Sequence, residues 1–527
     1  MNDFPSFAQR DGPINPWLIA VTVMLATFME VLDTSVANIA LPHIAGSLSA
    51  SVDESTWVLT SYLVSNAIVL PLSGWFSRLF GRKNFYMFCV GLFTISSFLC
   101  GLAPTLPLLV TFRVLQGVGG GALQPVSQAI LVESFSKAKQ GAAMAVYAMG
   151  VVFAPAVGPT LGGWITDNFS WRWIFFINIP IGVISLLMTG LLISDPPYLK
   201  RENLRTLKVD YMGIGLLGLG LGALQILLDK GERDDWFSSH FMVACAVIAA
   251  VCLVGVVIWE LRQKAPVVDF GLLRERNFAL ATLTMFVLGL VLYGTTVLLP
   301  EMLQTLLGYT ATASGMVLSP GAFVLIAILP FVGWLLGKVE ARWLVTFGAG
   351  ILAVSLLYMS HFDLDLDFHT ALMARIYQSC GMAFLFVPVN VMAFYFIAKE
   401  KTSNATGIIN LARNIGGSVG ISMVTTQIER GAQVHQAYLT ANATPLSDVY
   451  RSMLSGTAQN LIAHGSSIAQ AATQAQALLY GMIGRQATML AFVDDFRTLA
   501  WVSLAIVPFM FLMKKMRPHK AGSAAMH

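Results

Sequence analysis

Met149-Gly-Val-Val-Phe-Ala-Pro-Ala-Val-Gly-Pro-Thr-Leu-Gly-Gly163 is the stretch on which the reading of this chain turns. It lies in an apolar run from about Gly141 to Ile165, long enough to cross a bilayer as a helix. Gly150, Ala154, Gly158 and Gly162 recur every four residues, so one ridge of that helix has almost no side chains. Pro155, Pro159 and Gly163 fall on the adjacent ridge. A bare ridge admits another helix backbone closely, and the prolines remove backbone donors and bend the helix. Two readings follow: a tightly packed membrane helix, or one that must also move against its neighbour.

The rest of the chain is of the same kind. Of 527 residues 56% are hydrophobic and 11% charged, whereas a soluble domain carries roughly a quarter charged residues. An all-α polytopic membrane protein is expected, because open backbone in lipid is too costly. Cys89, Cys100, Cys245, Cys252 and Cys380 all fall in apolar spans without metal-ligand spacing, so no metal, cofactor or disulfide framework is indicated. The polar N-terminus lacks a cleavable-signal pattern, so the first span is expected to remain as an anchor.

Hydropathy marks fourteen apolar segments, near residues 17–41, 56–76, 85–103, 107–131, 141–166, 172–193, 210–228, 238–261, 278–300, 311–337, 343–360, 371–397, 404–428 and 496–513. With the N-terminus in the cytoplasm, 22 of the 32 lysines and arginines fall in cytoplasmic segments, which places both termini inside. A missed span would invert that bias downstream. Residues 429–495 then form a long outer connection, rich in Ala, Gln and Ser. Ile468, Ala472, Ala475, Leu479 and Met482 make a helical stripe within it. A helical docking surface and a flexible excursion are both open.

The two halves repeat at an offset of about 260 residues. Leu41-Pro42 and Gly74-Trp75 recur as Leu299-Pro300 and Gly333-Trp334, and Arg113-x-x-Gln116 with Pro125-Val126 recurs as Arg375-x-x-Gln378 with Pro388-Val389. The expected organisation is a cytoplasmic N-terminus (1–16), a six-helix bundle (17–193), basic loops with two inserted helices (194–277), a second six-helix bundle (278–513) including the outer connection, and a cytoplasmic C-terminus (514–527). Repeated bundles imply a transporter with a path between them. The Gly/Pro ridge does not repeat: its counterpart from Ala405 to Gly420 keeps small residues without proline.

Particular motifs narrow this. Leu32-Asp33-Thr-Ser-Val-Ala-Asn38-Ile-Ala-Leu41-Pro42 in span 1, Arg113-Val-Leu-Gln116-Gly117-Val-Gly119 in span 4, Gly158-Pro159 with Gly162-Gly163 in span 5, Trp171-Arg-Trp173-Ile-Phe-Phe-Ile-Asn178-Ile-Pro180 and Leu307-Gly308-Tyr309-Thr-Ala stand in the matching spans. The chain resembles the fourteen-span drug:proton antiporter branch of the major facilitator superfamily, EmrB-type efflux permeases. The resemblance implies the major facilitator fold, two six-helix bundles plus two inserted helices, and export of lipophilic small molecules in exchange for protons. It implies a proton-coupling role for Arg113 and an antiporter role for the span-5 helix. It further implies a periplasmic adaptor and an outer-membrane channel as partners, and no nucleic acid. There is one departure. In Gly74-Trp-Phe-Ser-Arg78-Leu-Phe-Gly81-Arg82-Lys83 the family's usual Asp is replaced by Arg78. Arg78, Arg82 and Lys83 then contact a helix C-terminus or lipid heads, or are simply inside-positive charge.

Ionisable groups within spans default to function. Glu30 and Asp33 share a face of span 1 one turn apart, so their titration is expected to be coupled. Arg113 is the expected counter-ion and Gln116 its orienting partner. A packing hydrogen bond near Thr34 and Asn38 is the plainer reading of Asp33, and a fixed ion pair that of Arg113. Asn38, Gln116, Asn410, Arg413 and Asn414 are candidates for the substrate path, with a packed polar cluster as the alternative; an Arg413 on the path favours acidic substrates. Tyr147, Met149, Phe153, Met285 and Tyr293 are candidates for a greasy wall. The competing functions are a proton-driven uptake symporter for a metabolite or siderophore, a primary pump and a membrane enzyme. No Gly-x-x-x-x-Gly-Lys-Ser/Thr loop supports the second, and no ligand set or nucleophile triad supports the last.

Overall fold

A computed structural model describes residues 15–136, 139–195, 210–263 and 266–515. Arg10, Lys137, Lys200, Arg201, Arg205, Lys208, Lys264, Arg517 and Lys520, all used in the charge count, lie outside the described residues. The described residues are helical, with no strand.

The first bundle holds α1 (Pro16–Ser47), α2 (Trp57–Phe80), α3 (Arg82–Leu102), α4 (Leu106–Ser134), α5 (Gln140–Asn168) and α6 (Trp173–Leu192). The inserted pair is α7 (Tyr211–Lys230) and α8 (His240–Glu260). The second bundle holds α9 (Arg276–Thr305), α10 (Ala311–Leu335), α11 (Ala341–Met359), α12 (Phe368–Phe394), α13 (Thr402–Asn442) and, after the short α14 (Asp448–Ala463), α15 (Ile468–Leu512). Twelve of these are long and apolar enough to cross a membrane, and the bent α5 is a thirteenth. α13 falls short of that measure, because Asn404, Asn410, Arg413 and Asn414 leave it more polar than the rest; its place in the repeat, as the counterpart of α5, is what counts it as a fourteenth. It can be polar because its lower half is buried among other helices rather than facing lipid.

α5 bends by 42° between Pro155 and Thr160, where the prolines interrupt its hydrogen bonding. Its bare ridge packs against α1 of the same bundle. A Cβ on Gly150 would meet Met24, on Gly158 Ser35 and on Gly162 Val36. Gly163 has nothing within 4 Å, and the side chain of Pro159 lies outside the described residues. The two bundles meet elsewhere, in a pseudo-symmetric pair of contacts that follows the repeat. Gly333 on α10 faces Gly141 on α5, each added Cβ lying 3.1 Å from the other's carbonyl oxygen. Gly74 on α2 abuts Asn404 at the start of α13, 2.9 Å from its backbone.

The inserted α7 is wedged between the bundles. Thr60 on α2 donates to Asp229, and Ser418 on α13 donates to Gln225 at 3.0 Å. Past α7, the Glu232 side chain lies beside Glu429. The carboxyl–carboxyl hydrogen bond and partial burial push Glu232 up to about 7. A raised carboxyl pKa favours the protonated folded form, so stability falls as pH rises from the ordinary 4.5 through about 7. Glu232→Gln is therefore expected to raise the melting temperature in detergent at pH 8 and to leave it unchanged at pH 4; an equal gain at both pH values would contradict this.

Residues 429–495 are helical for most of their length. α13 runs 41 residues, far past a bilayer's thickness, and the 16-residue α14 returns to α15 through a capping box of Ser467 and Gln470. The buried stripe of α15 is Ala471, Ala475 and Leu479, whereas Ile468 and Met482 from the expected stripe are exposed. Ala475 and Leu479 keep the expected register, and Ala472 is exposed while its neighbour Ala471 is buried. His435 pairs with Asp494 at 2.8 Å and Arg485 donates to the Leu306 carbonyl at 2.8 Å, tying the protrusion to its base.

Candidate functional site

Two buried carboxylates sit on α1, each with its own partners. Asp33 Oδ2 accepts from Arg113 Nη1 at 2.5 Å, and Oδ1 accepts from Gln116 Nε2 at 2.9 Å and Asn178 Nδ2 at 2.8 Å. Arg113 also donates through Nε to the Val58 carbonyl at 2.9 Å and through Nη1 to Gln116 at 2.8 Å, and lies 4.3 Å over the Tyr62 ring. Both side chains of the pair are essentially inaccessible. Such hydrogen bonds offset the desolvation of a buried ion pair; Arg113 Nη2 has no hydrogen-bond partner among the described residues. All of these partners belong to the first bundle.

Glu30 stands one turn earlier and touches only neutral donors. It accepts from Gln124 Nε2 at 2.6 Å, Tyr62 at 3.2 Å and Asn66 at 3.3 Å. The other end of Gln124 accepts from Arg413 Nη2, which comes from α13 in the second bundle. Arg413 Nε and Nη1 have no partner among the described residues although the side chain is buried. Nearby, Asn410 donates to Gln128 at 2.7 Å and Asn414 to Asn66 at 3.4 Å, so three α13 side chains reach across to the first bundle. Glu30 and Asp33 share a face, as their spacing requires, but their carboxylates are divided between two networks joined through Tyr62.

The other candidates fall into place around these. Gln116 both orients Arg113 and binds Asp33. Asn38 is exposed, beyond the network. The plainer partners for Asp33, near Thr34 and Asn38, are replaced by residues of α4 and α6. Tyr147 and Met285 are fully buried, and Phe153 stacks on Phe28 at 6.1 Å and meets Phe323 edge-on at 6.0 Å. Between α2 and α3 Gly81 takes φ 81°, a backbone conformation that suits glycine. Arg82 is buried in an ion pair with Glu133, so it is not a solvated inside-positive charge or a lipid contact. Arg78 donates to the Pro266 carbonyl at 3.4 Å, and Lys83 reaches the α6 C-terminus at Gly190 O, 2.7 Å.

Sequence reasoning missed Tyr62, Asn66, Gln124, Gln128 and Asn178. Asn178 lies in a quoted motif but carried no assigned role; the others are polar residues in apolar spans, the one signal that was available. The repeated Arg-x-x-Gln is reproduced in geometry: Arg375 donates to Gln378 at 2.5 Å as Arg113 does to Gln116. Among the described residues no carboxylate pairs with Arg375 as Asp33 does with Arg113. No group of metal-ligating side chains occurs among the described residues.

Comparison with known proteins bears on what this arrangement serves. Residues 23–421 match the family model described as Major Facilitator Superfamily. The chain is 36% identical over 439 residues to the multidrug export protein EmrB of Escherichia coli K12, covering 83% of this chain and 85% of that protein. It is 36% identical over 498 residues to the fatty acid resistance protein FarB of Neisseria gonorrhoeae, covering 94% and 96%, and 31% identical over 507 residues to the colistin resistance protein EmrB of Acinetobacter baumannii, covering 95% and 97%. Among solved structures, the proton:xylose symporter XylE superposes with a TM-score of 0.56 at 15% identity, covering 90% of this chain and 94% of that one, a likeness of fold alone.

Proposed function

Because the chain belongs to the Major Facilitator Superfamily, we propose that it is a proton-coupled antiporter that exports lipophilic drugs or other toxic small molecules. The observation that carries this reading is a pair of buried carboxylates on one helix, Asp33 held by Arg113 and Glu30 linked towards Arg413, in a chain 36% identical to a multidrug export protein. Buried acids at mid-span are costly and are kept where protons move. Asp33, Glu30 and Arg113 carry the coupling. Substrate binds between the bundles near Gln116, Asn410, Arg413 and Asn414, with Asn38 towards the outer mouth. The bundles rock about that centre.

The inserted helices and the bent α5 fit the same scheme. The ridge of Gly150, Gly158 and Gly162 holds α5 against the acid-bearing α1, and the bend at Pro155 lets its two ends follow different neighbours. That contact keeps the path sealed against proton leak while the halves move. The permease works in an inner membrane with both termini in the cytoplasm, as the basic loops support. The protrusion of α13, α14 and α15 then projects into the periplasm, exposing Tyr438, Leu446, Val449, Ile468 and Tyr480 at its surface. An apolar outer surface of that kind suits a periplasmic adaptor leading to an outer-membrane channel.

Proteoliposomes with an imposed pH gradient test the reading. Ethidium should accumulate against its gradient on the acidic side, and collapsing the gradient should stop it. Movement of the dye in the same direction as the protons would support the uptake symporter instead.

A further inference from the structure

We infer that ionised Glu30, Gln124 and Arg413 form a lock across the two bundles that forbids the empty carrier from switching, and that a proton on Glu30 opens it. The inference rests on the antiport reading above. An antiporter must change sides when it holds either substrate or proton, and must not change sides when it holds neither. Some contact between the halves must therefore exist only in the empty, deprotonated state.

The geometry at Glu30 has that property. Gln124 points its amide nitrogen at Glu30, 2.6 Å away, and its carbonyl at Arg413 from the opposite bundle. This amide is polarised from both ends only while Glu30 is charged, since hydrogen bonds to ionised groups are about twice as strong as neutral ones. A proton on Glu30 removes the anionic acceptor and weakens the hold of Gln124 on Arg413. A substrate inserted between the bundles achieves the same by displacing Gln124 from the guanidinium, whose Nε and Nη1 already lack partners there. Proton and substrate thus act on one bond from two sides.

Asp33 cannot take this part. Its charge is bound to Arg113, Gln116 and Asn178 within a single bundle, so its protonation would not be felt directly by the other half. The groups facing Glu30 are Tyr62 and Asn66 from α2, Gln124 from α4, Tyr147 from α5, Tyr293 from α9 and Arg413 from α13, with Asp33 and its Arg113 one turn away. Arg413 is the only cation among them that belongs to the second bundle, and the tyrosines keep their protons over the pH range concerned.

Spin labels report the lock without needing a substrate. Gly46→Cys and Gln304→Cys lie at the exposed outer ends of α1 and α9, the first helix of each bundle. Cys252 and Cys380 are replaced by alanine, the other three cysteines being buried. In nanodiscs, the distance distribution of the otherwise native chain should shift between pH 8 and pH 5. Glu30→Gln and Gln124→Leu should each show the acidic distribution at both pH values, with the shift lost. Both variants should also pass ethidium down its own gradient without a pH gradient about tenfold faster, as expected for losing one charge-assisted hydrogen bond. A native chain with no pH shift, or a Glu30→Gln chain that keeps the native shift, overturns the lock. A Gln124→Leu chain that keeps it overturns the relay. Failure of the native chain to move ethidium counts against the export reading instead, and leaves the spin-label result to judge the lock.

Discussion

Asp33→Asn is expected to abolish pH-gradient-driven export, to about a tenth of the native rate or less, with the protein still folded. Asparagine matches the shape of aspartate but not its acceptors. Asp33 accepts from Gln116 and Asn178 at one oxygen and from Arg113 at the other. Whichever way an asparagine amide is turned, its NH2 meets a donor. Arg113 also loses its counter-ion, and the nearest carboxylate left is Glu30, reached through the shared Tyr62 ring. The uncompensated guanidinium then holds on to the Glu30 network, and with it the contact between the two bundles. Asp33→Asn should therefore be slow with and without a gradient, whereas Glu30→Gln should leak. Arg113→Ala is the harsher change, because it strands a buried carboxylate, and should cost about 3–5 kcal/mol of stability. Folded yield by size-exclusion chromatography separates the two effects. Native gradient-driven export by Asp33→Asn would remove Asp33 from the mechanism.

The second large effect is expected at the crossing of α9 and α13. A Cβ on Gly416 would lie 2.0 Å from the Phe286 carbonyl oxygen, one on Gly420 2.2 Å from that of Leu290, and one on Gly289 2.2 Å from that of Arg413. Each obstacle is backbone, so no side chain can turn aside. Gly416→Ala must push the helices apart, at a cost of about 1–3 kcal/mol for an overpacked site, and Gly416→Leu should yield little folded protein. Gly163→Ala and Gly350→Ala, with nothing within 4 Å, are the matched controls and should melt as the native chain does. Because Gly289 sits against the backbone of Arg413 itself, this crossing also sets how far Arg413 reaches towards Gln124. Retention of native melting by Gly416→Ala would mean that the crossing is looser than its geometry.

The contrast with α5 shows what the sequence could and could not carry. Both glycine ridges are visible as small residues four apart. The α5 ridge is marked by its prolines, yet its glycines first meet side chains of α1, Met24, Ser35 and Val36, rather than backbone. The plainer ridge of α13, Gly416 and Gly420, is where backbones touch. Spacing marks a smooth face, but only the partner's register tells whether the smoothness is needed. The same limit applies at the centre. Asp33, Arg113 and Gln116 were legible because a charged residue in an apolar span needs partners. That Asp33 would be completed by Asn178 of α6, and Glu30 by Gln124 of α4, depends on contacts 145 and 94 residues apart, and neutral amides are too common to announce themselves. Hydropathy marks twelve helices and the bent α5 as spans, and α13 joins them only through its place in the repeat, because Asn410, Arg413 and Asn414 lower its apolar character. Where that helix stops was not legible, because residues beyond Thr426 lose their apolar pattern without losing their helicity.

The length of α13 gives the second bundle mechanical reach. At 1.5 Å per residue its 41 residues extend about 60 Å, with Arg413 near one end and the exposed Tyr438 near the other. A rigid-body turn of about 15°, pivoting at the Gly416 crossing, carries a tip about 35 Å away through roughly 9 Å. A single continuous helix thus makes a lever arm, through which the proposed lock at Gln124 would move the far tip of the protrusion.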